Sequence, residues 1–289
     1  MKRFKSLTAV VLAGFFAVSA VGCGGTSTEE TTDEAAVTEE AADTEAEAEE
    51  SDETAALTGT EGLLIWGTNA AFEPYEYMEG DVVVGIDAEI ADAIAEKLSL
   101  TAQVENMDFD AIIPSVTTGK VDIGLAGMTV NEERLNNVNF SEPYVEAGQA
   151  IIVPEGSDIT SVADLEGKII GVQRGTTGDE YVSTEENGVG AASVERFSNG
   201  PDAAQSLLTG KIDAIVLDNE PSKKIVANST GLVILDELLT SEQYAIAVAK
   251  DNTALLDGIN AALAEMEESG ELQEILDKYL NSDEDAAEE

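Results

Sequence analysis

Arg134 stands in GMTVNEERLNNVNF (127–140), behind two glutamates and ahead of three asparagines, and it is a scarce kind of residue here. Three of the chain's 14 Lys and Arg lie in the first five residues, so the other 11 face 59 Asp and Glu. A guanidinium offers a planar fork that grips a carboxylate through two hydrogen bonds and keeps its charge when buried. Asp218 closes the apolar run IDAIVLD (212–218) and could meet an ammonium. A free amino acid carries both of those groups on one carbon. Each residue also has a plain structural use. Arg134 could pair with a nearby acid for ~0.2–0.5 kcal/mol, and Asp218 could cap the helix that follows it.

Two further stretches favour the binding chemistry. GVQRGTTGDEY (171–181) reads as a strand, a glycine turn and hydroxyl residues opening a helix. Its backbone N–H groups, with the hydroxyls of Thr176 and Thr177, could hold an anion. GTNAAFEPYEY (67–77) puts Phe72 and Tyr75 in a loop just after the first apolar run, and Phe109 precedes a helix in the same way. Aromatic rings beside a charged cleft cover the aliphatic part of a ligand and exclude water.

Composition narrows the alternatives. The formal charge of −45 argues against nucleic acid, which needs a basic face to displace counterions, and against adsorption to anionic lipid. The chain has no histidine, hence neither the commonest metal ligand nor the usual general base near neutral pH. Cys23 is the only cysteine, which rules out an internal disulfide and a Cys-rich zinc site. No metal or cofactor is expected, and no hydroxyl nucleophile has an evident base.

The chain opens as an exported protein does. Lys2, Arg3 and Lys5 precede the apolar LTAVVLAGFFAVSAVG, a stretch short of the ~20 residues that span a bilayer and of signal-peptide length. AVGC followed by GG is similar to a bacterial lipobox in which Cys23 is diacylated and becomes the mature N-terminus, although Ala20 stands where leucine is usual. Residues 23–61 are rich in Thr, Ser, Glu, Ala and Asp with no basic or aromatic residue, a composition that stays disordered and extended as a tether. Residues 283–289 form an acidic tail.

The body reads as alternating strands and helices, the mark of α/β lobes with largely parallel sheets. Ile90, Ala91, Ile94, Ala95 and Leu98 fall on one helical face, and apolar strand-like runs recur at 63–69, 121–127, 149–154, 168–172, 212–218, 231–235 and 244–249. Helical patterns fall near 109–118, 178–186, 201–209, 219–227, 252–268 and 271–280. One internal echo stands out. IIPSVTTGKVDIGLAGMT (112–129) and AAQSLLTGKIDAIVLDNE (203–220) both run helix, T-G-K-[VI]-D, buried strand, polar residues. Ligands of open α/β sheets bind past the carboxyl ends of strands. Two such units facing each other would make a cleft with Gly127 to Thr129 on one wall and Asp218 on the other.

GTNAAFEPYEY, VGIDAEIADAIAEKL and MDFDAIIPSVTTGKVDIGLAGMTVNEERLNNVNFSEPY together resemble the first lobe of the polar amino acid-binding proteins of ABC importers. ADLEGKIIGVQRGTTGDEY, GKIDAIVLDNEPS and the segment from EQYAIAVAKDN to ILDKY resemble the second lobe and the return to the first, so the likeness covers about 62–281. It implies a two-lobed type II periplasmic-binding-protein fold, with lobe 1 at 62–145 and 243–282, lobe 2 at 146–242, and crossings near 144–148 and 240–244. Arg134 and Thr129, helped by Thr177, would take the α-carboxylate. Gly127 would offer its carbonyl to the α-ammonium beside Asp218, and Phe72 and Phe109 would flank the side chain. Asn69 stands where members that bind basic or amide side chains often carry aspartate, and Gln173 holds a position that varies with specificity. A polar, uncharged amino acid is therefore the first expectation. Glu73 replaces a frequent proline and Tyr75 a phenylalanine.

The function so implied is capture of a free amino acid by hinge closure and its delivery to an ABC-type permease. The protein would be a monomer, lipid-anchored on the outer face of the cytoplasmic membrane or in the periplasm, and not an enzyme. Two alternatives belong to other classes: an amino-acid-sensing module for a receptor, and an enzyme, since this fold also includes a dehydratase and lytic transglycosylases.

Overall fold

A computed structural model describes residues 57–281; the expected signal peptide, Cys23, most of the expected tether and the acidic tail lie outside the described residues. β1 (Leu63–Thr68) leads into a small sheet of β2 (Ala71–Phe72), β3 (Glu76–Glu79) and β4 (Val82–Val84). Then come α1 (Ile86–Lys97), β5 (Thr101–Asn106), α2 (Ile112–Thr117), β6 (Ile123–Gly124), the one-turn α3 (Glu132–Leu135) and β7 (Val138–Phe140). β8 (Val145–Ala147) precedes β9 (Gln149–Pro154), β10 (Ile169–Gln173), α4 (Thr177–Ser183), β11 (Ser193–Phe197), α5 (Gly200–Leu208), β12 (Ala214–Asp218), α6 (Asn219–Ala227) and β13 (Leu232–Ile234). β14 (Glu242–Tyr244), β15 (Ala247–Ala249), α7 (Thr253–Ser269) and α8 (Glu271–Leu280) complete the chain.

These elements build two lobes on one plan, a type II periplasmic-binding-protein fold. The first sheet has the order β5-β1-β6-β15-β7 and the second β11-β10-β12-β9-β13. In each, the first three strands are parallel and the fourth runs against them. β8 and β14 pair antiparallel with each other, the two strands on which the chain passes between the sheets. The repeated T-G-K-[VI]-D has a common job. Gly119 and Gly210 leave their helices at φ 69 and 68. Asp122 then accepts the Ile65 N–H of β1 at 2.8 Å, and Asp213 accepts the Ile169 N–H of β10 at 2.7 Å. Each Asp thus ties the end of a helix–strand unit to the neighbouring strand of its own sheet.

The first helix forms as its spacing requires. Ile86, Ile90 and Ile94 of α1 are wholly buried against the sheet, each side chain contributing about 1.5–3 kcal/mol of apolar burial. Strands that the apolar runs did not announce are short or polar at the surface. β5, TAQVEN, lies at the edge of its sheet with half of its residues exposed. The run 121–127 gives a strand only at Ile123–Gly124, and Gly127 takes φ 52, where the backbone turns into the site. The folded body also begins earlier than expected. Residues 57–61 are not tether, because Asn252 donates to the Leu57 carbonyl and Gly59 N–H donates to Asp122, both at 2.8 Å.

Candidate functional site

All ten residues expected at the site line one cavity between the lobes, with Glu76 and Ala126 completing its wall. Its volume, about 10 Å³, is room for one water, so the lobes are shut and a ligand can enter only when they part. Lobe 1 supplies Arg134 on α3. Asn131 opens that single turn by accepting the Arg134 N–H at 2.8 Å, with Glu132 and Glu133 in the first turn. The guanidinium donates to the Thr129 carbonyl at 2.7 Å and, across the cleft, to the Gly175 carbonyl at 3.1 Å. It lies 5.2 Å from the centre of the Phe109 ring, within cation–π range. Burial pulls its pKa down, while Asp218, Glu242 and Glu180 favour the charged form. A guanidinium keeps its proton under such a shift.

Asp218 faces it from the end of β12 in lobe 2, buried and without a capping bond to α6. It accepts a hydrogen bond from the Tyr244 hydroxyl. Burial, reinforced by Glu242, pushes its pKa up to about 6 against the pull of Tyr244, Gln149 and Arg134. Such a carboxyl is mostly ionised at neutral pH and is stabilised further by any cation brought beside it. Gly127 belongs to the same end of the cavity. A Cβ there would come within 2.6 Å of the Phe72 ring, at a positive φ that side chains rarely adopt, so glycine is required.

The hydroxyls divide differently from the expectation. Thr176 caps α4, accepting the Asp179 N–H at 3.2 Å and donating to the Gln173 carbonyl at 2.8 Å. In this closed form its proton is used within lobe 2, and like those of Thr129 and Thr177 it must change partner before it can serve a ligand. Thr129 and Thr177 both donate to the same oxygen of Glu242, at 2.6 and 2.8 Å. A hydroxyl has one proton to give. Either residue must therefore leave Glu242 before its side chain can donate to a ligand carboxylate.

At the far end, Gln173 donates to the Asn69 carbonyl oxygen at 3.1 Å and to the Ser198 carbonyl at 3.3 Å, while Asn69 donates to the Met107 carbonyl at 2.8 Å. The backbone carbonyls can only accept, which fixes the orientation of both amides. Gln173 Oε1 is then buried with no partner. Asn69 and Gln173 lie on opposite lobes, so their bond also closes the cleft.

Sequence reasoning missed Glu76, Gln149, Glu242 and Tyr244. Glu76 is fully buried in the cavity wall, its carboxyl beside that of Asp87 and the hydroxyl of Thr68. Burial and the neighbouring Asp87 hold its pKa well above the carboxylate range. Asp87 accepts the Gly127 N–H at 2.8 Å and the Tyr144 hydroxyl at 2.9 Å, and burial still lifts it to about 7. Two adjacent buried carboxyls cannot both ionise readily, so Glu76 keeps a proton while Asp87 braces the backbone at Gly127. No local pattern marks Glu242, whose partners Thr129 and Thr177 lie 113 and 65 residues away.

Comparison with known proteins agrees with this geometry. The family model for bacterial extracellular solute-binding proteins, family 3, matches residues 64–282. The arginine-binding extracellular protein ArtP of Bacillus subtilis (strain 168) is 36% identical over 225 residues, covering 76% of this chain and 87% of its own. An ancestral arginine-binding protein, solved bound to arginine and bound to glutamine, is 42% identical with a TM-score of 0.72 in both structures; the arginine-bound one covers 75% of this chain and 98% of its own. The ancestral amino acid-binding protein AncCDT-1, a precursor of cyclohexadienyl dehydratase, is 31% identical with a TM-score of 0.70, covering 76% of this chain and 96% of its own. With fold, cleft and family model in agreement, the chain belongs to the bacterial extracellular solute-binding proteins, family 3.

Proposed function

We propose that this chain captures a free L-amino acid outside the cytoplasm and hands it to an ABC-type permease, as a binding protein rather than an enzyme. The observation that carries the reading is the opposition of Arg134 and Asp218, buried on facing lobes across one narrow cavity. Only with the lobes together can one zwitterion meet both charges, so binding and closure are the same event. A micromolar Kd corresponds to roughly 8 kcal/mol, and charge-assisted hydrogen bonds of ~1.5–3 kcal/mol each supply much of it. Lobe 1 is taken as 62–145 with 243–282 and lobe 2 as 146–242. Cys23 is the anchor, diacylated after signal-peptide cleavage and tethering a monomer to the membrane.

The ligand's side chain is proposed to end in hydrogen-bond donors. Gln173 Oε1 is the partnerless acceptor at that end of the cavity, and Phe72 and Phe109 cover the stem between. Glutamine and arginine both fit, and the ancestral relative was solved with each of them. A thermal-shift screen of the twenty amino acids on refolded, ligand-stripped protein tests the reading. The expected outcome is a raised melting temperature with arginine or glutamine and none with aspartate or glutamate. Stabilisation by sugars or simple organic acids alone would refute it. Mass spectrometry of membrane-extracted protein checks the anchor, a free thiol at Cys23 being the contrary result.

A further inference from the structure

Glu242 sits at the junction of the two lobes, 8% exposed, with its carboxylate enclosed by three hydroxyls. Thr129 of lobe 1 donates at 2.6 Å, Thr177 of lobe 2 at 2.8 Å, and Thr240 of the connecting segment at 2.7 Å. Gln149 backs two of these, its backbone N–H donating to the Thr240 hydroxyl at 2.9 Å and its amide to the Thr177 hydroxyl at 3.1 Å. Glu242 is part of lobe 1 in mechanical terms. Val130 N–H donates to the Gln243 carbonyl at 3.2 Å and Ala245 N–H to the Met128 carbonyl at 3.0 Å, on either side of a bridge between Thr129 and Tyr244. Glu242 and Thr129 therefore move together. The bond from Thr177, on a helix of lobe 2, is the one that parting the lobes must break.

We propose that Glu242 is a positioning residue of the ligand site, a built-in carboxylate that draws Thr177 of lobe 2 onto lobe 1 and holds the cleft in its ligand-ready form. It touches the site's hydroxyls and not the cavity, whose wall does not include it. The bond it makes to Thr177 is one of several cross-cleft contacts, among them Tyr244 of lobe 1 donating to Asp218 of lobe 2 and the Arg174–Asp110 ion pair. Gln173 to Asn69 and Arg134 to Gly175, both at 3.1 Å, are made by residues that a ligand would engage, and Asn131 to Glu180 is exposed. The Thr177–Glu242 bond is partly buried and charge-assisted, the stronger class of hydrogen bond. A ligand that binds only the closed form has its apparent affinity scaled by the fraction of protein already closed, so Glu242 would tune affinity for every ligand alike.

The inference rests on capture by closure, yet its first test needs no ligand. Spin labels at cysteines introduced for Thr117 and Glu186, exposed on opposite lobes, report the distance between lobes in the full chain carrying Cys23→Ser. The ligand-free parent should show a short-distance population. Glu242→Ala and, as a milder change, Thr177→Val should each lower the closed-to-open ratio about tenfold or more, the loss of one charge-assisted bond. The double variant should open no further than Glu242→Ala alone. Whichever amino acid stabilises the parent should restore the short distance in Glu242→Ala, with Kd weakened by the same factor as the closed fraction. Unchanged ligand-free distances in both single variants would overturn the proposal. So would a tighter Kd in Glu242→Ala, which would make Glu242 a competitor of the ligand carboxylate. If no amino acid binds at all, the capture reading fails while the ligand-free distances still decide the role of Glu242.

Discussion

The two ends of the cavity are built from different materials. At one end Arg134 and Asp218 set fixed charges, with the Glu242 carboxylate behind the hydroxyls of Thr129 and Thr177. At the other, Asn69 and Gln173 are neutral amides bonded to each other across the cleft, with one oxygen left over. A buried charge without its partner is costly, which suits recognition of groups that every amino acid shares. Neutral amides change partners at small cost, which suits the part of the ligand that differs from one amino acid to the next. The charged end should then govern whether anything binds, and the amide end which amino acid it is.

Changes at the charged end should have the largest effects. Arg134→Ala should weaken every amino acid ligand by at least about 100-fold, two charge-assisted bonds lost, and leave the order of preference among ligands unaltered. Calorimetry across several amino acids checks this, and an altered order would blur the division between the ends. Asp218→Asn should cost about 10–100-fold and also remove a pH dependence. The parent's Asp218 titrates near pH 6, so between pH 7 and pH 5 its ionised fraction, and with it the affinity, should fall about tenfold. The Asn variant should show a flat profile.

Stability should run the other way. Asp218 and Asp87 have folded-state pKa values raised to about 6 and about 7 from an ordinary 3.8. The folded state therefore holds protons that the unfolded state has released. Their contribution is full below about pH 4 and is lost as pH rises through 6 to 7. In the absence of ligand, Asp218→Asn should flatten the fall in melting temperature over that window, while a steeper fall would contradict the assignment. Smaller changes belong to the amide end. Gln173→Glu should raise the ratio of arginine to glutamine affinity by roughly tenfold, since it puts a charge beside the donor group, with little effect on the shared α-groups. A uniform loss for both ligands would mean that Gln173 serves closure more than selection.

Much of this was legible in the sequence because the signals were local. The alternation of apolar runs and helical faces gave the α/β lobes, and T-G-K-[VI]-D marked both halves through a shared need for a left-handed glycine and an Asp cap on the next strand. Arg134 and Asp218 stood out because a cation among acids and an acid ending an apolar strand are each unusual. What escaped is held by distant partners. Glu76 and Asp87 become a pair only when β3 packs beside α1, and Glu242 matters only because Thr129 and Thr177 converge on it. A cap and an anion site share one pattern at a helix start, so the sequence could not show that Thr176 also caps α4 and bonds the Gln173 carbonyl.

The most direct test of the account titrates ligand-stripped protein with the tightest-binding amino acid and then with the corresponding amine, the same molecule without its α-carboxylate. If Arg134 is the fixed partner of that carboxylate, the amine should bind at least about 100-fold more weakly in calorimetry. Near-equal affinities would contradict the account, because the side chain would then hold the ligand without the charged end.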